Sequence, residues 1–217
     1  GFGFENYGSR FPEGNLTVRE VRNLFGNRVC TRIEGDDECL ASPATQLWID
    51  QMNKMMGGGH CVGFTILSQR IVDGEVNLTE FVTDAEQAVD ISQNERVMRQ
   101  IAQDWVLQVT DEIQDRTVSG TPREIIDELL ALQQAVDLGI FARKGGGHSM
   151  LAYGVEEKAD GIFHILVYDN NWPKRDDLYV EVDYNANTWR YSLAATNPNE
   201  DADAWDGDAR SKSLIFV

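Results

Sequence analysis

The chain predicts an α+β protein with helices first and antiparallel strands second. Three observations carry this. From Ser42 to about Gly139, apolar residues recur near helical spacing behind Ser, Thr and Pro start signals. After Gly139 the chain turns to short runs rich in Val, Ile, Tyr and Phe, with turn residues between them. Hydrophobic residues make up 42% of the 217 and charged residues 25%, enough to bury one large core or two that share a boundary. Helices followed by strands, rather than alternating with them, read as α+β in a single domain over 1–217. The expected division is a helical part over about 1–140 and a β part over about 141–217.

Residues 1–40 are rich in Gly, Asn and charge and read as irregular. Within them Cys30 and Cys39 flank TRIEGDDE, a polar stretch that reads as a loop. Their spacing suits a small disulfide-bonded loop, with Cys61 left as the free thiol. Such a bridge implies an oxidising compartment, outside the cell or on its surface. SPATQLWIDQMNKMM (42–56) reads as a helix with Ser42 as N-cap and Pro43 in the first turn. Leu47, Trp48, Met52, Met55 and Met56 form its core stripe, and Gly57–Gly59 stop it. A second helix begins near Cys61 and runs through VGFTILSQRI. A helical block spans 79–116: TDAEQAVDISQ opens it with acids in the first turn, and NERVMRQIAQDWVLQV continues it. TPREIIDELLALQQAVDLG (121–139) has Thr121 as cap, Pro122 at the first position and Gly139 at its end. The strands expected next are HSMLAYGVEE, GIFHILVYD, LYVEVDY and TWRYSL, with DYNANT as a hairpin signal, and SLIFV closes the chain as a last strand.

Charge narrows the partners. Lys and Arg number 19 against 36 Asp and Glu, a net −17 that repels phosphates and serves solubility. No nucleic acid and no anionic membrane surface is expected as a partner. No apolar run approaches the ~20 residues that cross a bilayer, so no membrane insertion is expected. No signal-peptide pattern opens the chain, and its first residue is Gly rather than Met, which reads as a processed form.

The chemistry concentrates where the tetrapeptide GGGH occurs twice, in MMGGGHCVGFTILS (55–68) and in RKGGGHSMLAYGV (143–155). Cys61 follows the first Gly triplet and opens an apolar helix. Unpaired first-turn N–H groups and the helix dipole favour a thiolate there. His148 follows the second triplet and opens the first strand of the β part. HILVYDNNWP then ends a strand with Asp169 and Asn170. Adjacent antiparallel strands bring His148 beside Asp169, so a nucleophile, a base and an orienting acid are all present. Gly triplets at both positions let substrate backbone come close. His60 reads as lining the cleft or capping the helix rather than as the base. In NEDADAWDGDAR (199–210), Asp201, Asp203, Asp206 and Asp208 crowd around Gly207 in loose imitation of a calcium loop. Trp205 breaks the required spacing, so a solvated acidic loop is the better reading. His60, Cys61 and His148 lack a fourth ligand for zinc, and no metal or cofactor is expected.

GGGHCVGFTILS and GGGHSMLAYGVEE…FHILVYDNNWP together resemble the papain-like cysteine peptidase fold, over about residues 43–70 and 140–193. The bacterial branch whose third member is Asp is the more similar. The resemblance implies a two-lobe fold: a helical lobe that starts its central helix at Cys61, and an antiparallel β lobe opened by His148. It implies the triad Cys61, His148 and Asp169, with Asn170 as the alternative third member. The family's oxyanion Gln falls here on Met55. Asn53, or Gln51, is the expected amide donor beside the Cys61 N–H. The function implied is a secreted or surface thiol hydrolase, a peptidase acting on peptide or protein substrates as a monomer without cofactor. The alternatives are a transglutaminase-type transferase or amidase, and a non-enzymatic extracellular binding module on the same scaffold.

Overall fold

The structure, a computed structural model, describes residues 1–34, 38–143 and 145–217. Its α-helices in chain order are α1 (Val18–Phe25), α2 (Pro43–Met56), α3 (Cys61–Val72), α4 (Glu95–Trp105), α5 (Asp111–Arg116) and α6 (Pro122–Leu132). Its strands are β1 (Cys30–Glu34), β2 (Glu38–Ala41), β3 (Val118–Gly120), β4 (Val136–Phe141), β5 (Gly147–Ala159), β6 (Ile162–Tyr168), β7 (Tyr179–Asp183), β8 (Thr188–Tyr191), β9 (Trp205–Asp208) and β10 (Leu214–Phe216). β1 and β2 form a small antiparallel hairpin. The others form an eight-stranded antiparallel sheet in the order β3-β10-β4-β5-β6-β7-β8-β9. The architecture is therefore α+β.

Local chemistry accounts for the helices that were legible. The Ser42 hydroxyl accepts the Thr45 N–H at 3.1 Å, and Pro43 opens α2. Thr121 and Glu124 cap α6 reciprocally, with Pro122 at its start. On α2, Ile49, Met52 and Met56 are buried. Leu47 and Met55, expected in the core stripe, are instead 60% and 56% exposed.

Several expectations are corrected. Residues 1–40 are not irregular throughout, because Thr17 and Glu20 form a capping box that starts α1. The block 79–116 is not one helix. The Asp90 carboxylate takes the N–H groups of Glu86 and Gln87, competing with helix formation, and α4 starts only at Glu95 behind its own cap, Asn94. The helix from Thr121 ends at Leu132, where Gln133 turns left-handed at φ 52°, and Gly139 lies in β4 instead. Val136, Leu138 and Ile140 alternate along that strand and are buried in the sheet core. The division near 140 thus falls inside the sheet, which draws its first strands from residues 118–120 and 136–141. Finally, the acidic stretch after Asp201 is not all loop, since Trp205–Asp208 pairs with β8 as the sheet edge.

Packing brings the helices and the sheet together. α6 and the inner sheet face share one core, around Ile125, Leu138, Val167 and Trp189. The other helices bury two further clusters, one around Phe2, Phe64 and Ile101 and one around Val21, Ile49 and Trp105. α3 lies so close to α4 that a Cβ on Gly63 would fall 2.0 Å from the Ile101 carbonyl oxygen. On its other side α3 meets β5, where Ser149 and Thr65 hydroxyls are 2.9 Å apart. The last strand, β10, inserts between β3 and β4.

Candidate active site

Cys61 is the first residue of α3 and is half-buried, with His60 in the N-cap position. Its N–H and those of Val62 and Gly63 belong to the helix's first turn, so they have no carbonyl partner within it. His148 sits on β5, opposite Ile140 of β4. Asp169 directly follows β6, whose last residue, Tyr168, pairs with Leu151 of β5. This register carries the end of β6 to the histidine.

His148 Nε2 lies 2.7 Å from Asp169 Oδ1. The same oxygen accepts the Asn171 N–H at 2.8 Å, and Oδ2 accepts the Tyr191 hydroxyl. The Cys61 side chain acts on the same imidazole and raises its pKa, and with Nε2 on Asp169, Nδ1 is the nitrogen left for the sulfur. His148 is 7% exposed and Asp169 fully buried. Burial works against a charged imidazole, but the hydrogen bonds to Asp169 and Cys61 outweigh it and raise His148 to about 9. Burial likewise opposes the Asp169 carboxylate, and the His148 bond and charge, with Tyr191 and Asn171, hold it below the usual carboxylate range. A free thiol, an imidazole whose pKa it raises and a buried carboxylate hydrogen-bonded to that imidazole are thus brought together, groups of the kind that acyl transfer uses.

A cleft of about 770 Å³ opens beside these groups. Gly58, Gly59 and Cys61 line one side, and Gly146, Gly147 and His148 another, so both Gly triplets flank a single space. Gly146 has φ +101°, a conformation that a side chain would strain.

Other residues singled out by the sequence are placed differently. Asn170 does not reach His148. Its amide donates to the carbonyls of Cys61 (3.3 Å) and Ser149 (2.9 Å), tying the start of α3 to β5. Asn53, expected as an oxyanion donor, is turned away, because its amide makes two bonds with the Leu16 backbone at 2.8 and 3.0 Å. Gln51 is exposed, and neither amide lines the cleft. The site therefore keeps the Cys61 N–H and gains no side-chain donor from α2. His60 is buried, with Nδ1 2.6 Å from the Tyr7 carbonyl and its N–H on Asn6 Oδ1. Burial lowers its pKa, so it stands as a neutral structural ring.

Tyr191 and Asn6 are the site's residues that carried little sequence signal. Tyr191 had one local cue, its inward position two residues after Trp189 in TWRY. Asn6 had none: its N–H reaches the Asn170 carbonyl and its amide reaches Asn171, both far along the chain.

Among the described residues no group of three or more His, Cys, Asp or Glu side chains is placed to hold a metal. The acidic stretch does not converge, which corrects its weak calcium resemblance. Asp206 and Asp208 pair with Arg143, Asp201 accepts from the Ser192 hydroxyl and the Asp203 N–H, and Asp203 is exposed. Cys30 and Cys39 are joined by a disulfide across the β1–β2 hairpin, with Cα atoms 5.4 Å apart. Of the spacer read as a loop, residues 35–37 lie outside the described residues, and its flanks are strand. The bridge fits an oxidising environment. Among the described residues no helix is long and apolar enough to cross a membrane.

Comparison with protein-family models, with curated proteins and with solved structures returns no match to the chain. What stands is an α+β protein with a free cysteine and a histidine beside one cleft, the histidine hydrogen-bonded to a buried aspartate.

Proposed function

We propose that the chain is a thiol hydrolase of papain-like, two-lobe type, a cysteine peptidase acting outside the cell or on its surface. The observation that carries this is Cys61 and His148 lining one open cleft, with the His148 ring hydrogen-bonded to the buried Asp169 carboxylate. The Cys61 thiolate attacks the scissile carbonyl and forms the C–S bond. The His148 imidazolium gives its proton to the leaving amine as the C–N bond breaks. Water then attacks the thioester, His148 takes its proton, and the C–S bond breaks to restore the thiolate. Asp169 holds the ring so that Nδ1 faces sulfur throughout. The Cys61 N–H stabilises the oxyanion. The disulfide supports the extracellular setting.

A transferase or amidase would use the same atoms and differ only in the acyl acceptor. A binding module would keep the cleft without turnover. Iodoacetamide at pH about 6, followed by peptide mapping, separates the module from the enzymes. Rapid alkylation confined to Cys61, hydrolysis of a mixed peptide library, and loss of that hydrolysis in folded Cys61→Ala are the expected results. Hydrolysis at full rate in Cys61→Ala ends the proposal.

A further inference from the structure

One acidic side chain in the cleft has no part in the proposed hydrolysis. Asp137 lies on β4 and is only 8% exposed, yet it lines the same space as Cys61 and His148. Among the described residues that line the cleft it is the one acidic side chain, and no Lys or Arg accompanies it. Ser149, next to His148, donates its hydroxyl to Asp137 Oδ1 at 2.6 Å and is the only side chain bonded to that carboxyl among the described residues. Ser149 leads on to Thr65, and Thr65 to the Cys61 carbonyl at 3.0 Å. The carboxyl is thus linked through two hydroxyls to the start of α3. The cleft's walls are largely apolar, with Val62, Trp105, Ile113, Phe141 and Ile215, alongside the polar Gln108, Gln114 and Thr117. A largely apolar cleft that holds one buried carboxyl suits a long side chain with an aliphatic stem and a cationic head.

We propose that Asp137 forms the base of a subsite for a lysine or arginine side chain of the peptide substrate. The inference deepens the peptidase reading and rests on that cleft being where peptide binds. Among the described residues Asp137 has no ion pair, only the His148 charge nearby, and a bound ammonium or guanidinium further offsets the cost of burying an ionised carboxyl. Burial pushes Asp137 up to about 6, with the Ser149 bond and the His148 charge only partly offsetting it. The charged groups around it are His148 from β5 and, along a neighbouring groove, Arg70, Asp73, Glu75, Glu112 and Arg116. Arg70 is already held by Asp104 at 2.7 Å and by Glu75. The net charge of −17 also draws cationic peptides toward the molecule.

The test uses tripeptide chloromethyl ketones that carry arginine, or its neutral isostere citrulline, at each position in turn. Mass spectrometry reads the rate of Cys61 alkylation, which needs no turnover. At pH about 7.5 the arginine probe should react about tenfold faster or more at one position, because a buried charge pair discriminates strongly against a neutral partner. The ratio should fall toward 1 in Asp137→Asn, which keeps the side chain's shape. In the wild-type protein it should also fall as pH drops below about 6, so the proposal stays open to refutation even if that variant folds poorly. Equal rates at every position, or a preference that survives Asp137→Asn, overturn the subsite while peptide hydrolysis continues. An arginine preference without hydrolysis of any peptide removes the peptidase reading instead and leaves the cation site. No adduct with any probe overturns both.

Discussion

Three donors meet on the Asp169 carboxylate: His148, Tyr191 and the Asn171 N–H. Replacing it with a neutral amide lets the imidazole take the wrong tautomer. Asp169→Asn should therefore lower kcat/KM about ten- to a thousandfold, roughly 1.4–4 kcal/mol of transition-state stabilisation. Asn170→Ala should cost far less in turnover, because Asn170 bonds main-chain carbonyls rather than the ring. Steady-state kinetics on both variants decides this, and an essential Asn170 with a dispensable Asp169 would reverse the assignment. pH provides a second reading. His148 is raised to about 9 from an ordinary 6.5. The stability it contributes is thus complete below about 6.5 and is lost as pH rises through about 9. Asp169 is lowered, so its contribution is present above the ordinary carboxylate range and is lost as pH falls through its folded value. Thermal melts from pH 6 to 10 should show the alkaline loss in the wild-type protein and a flatter curve in His148→Gln. Parallel curves would show that the imidazolium is not held as described. Activity should decline on the same alkaline limb.

At the level of elements, α3 is set by what lies on either side of it. One end carries Cys61. Gly63, within the first turn, permits contact with α4 that no larger residue allows, since its Cβ would meet the Ile101 backbone oxygen at 2.0 Å. Alanine is the better helix former by ~1 kcal/mol, yet a main-chain oxygen cannot swing aside as a side chain would. Gly63→Ala should therefore destabilise the protein by about 1–3 kcal/mol in urea unfolding, the usual cost of overpacking. It should also slow Cys61 alkylation, because the first turn must shift. Unchanged or higher stability would mean that α3 and α4 are not in the contact described. The elements read correctly from sequence, α2, α3 and the start of α6, carry local start signals such as Ser42–Pro43 and Thr121–Pro122. Those misread were decided by side chains acting on backbone, as Asp90 does before α4, or by strand pairing, as at Gly139.

Across the whole molecule, the chain's beginning stitches distant parts together. Phe2 is buried against Phe4 and Phe64, and its N–H donates to the Tyr168 hydroxyl at 3.1 Å. Asn6 joins the start of α3, through the His60 N–H, to the turn after Asp169, through the Asn170 carbonyl and the Asn171 amide. The start of α3, with Cys61, and the turn after Asp169 are therefore held in common by one segment near the chain's beginning. Away from this joint, the Cys30–Cys39 bridge closes the β1–β2 hairpin. Intact mass should rise by about two hydrogens on reduction, and reduction should lower stability by about 2–4 kcal/mol without loss of Cys61 reactivity. Three titratable thiols in the unreduced, denatured protein would remove the bridge and with it the main support for an extracellular setting.

By itself the sequence determined the α+β class, the free cysteine at a helix start, and the histidine and aspartate at opposite strand ends. Each of these depends on local signals: caps, Gly triplets, alternating runs and cysteine spacing. Only the tertiary structure decided that Asp169 rather than Asn170 meets His148, that Asn53 is spent on Leu16, and that Tyr191, Asn6 and Asp137 belong to the site. The physical reason is range. A cap or a turn is settled by residues three or four apart, whereas these contacts join residues whose separation ranges from tens of positions to well over a hundred. Which side chain fills a given space there depends on sheet register and helix packing, and neither is written in any single stretch of the chain.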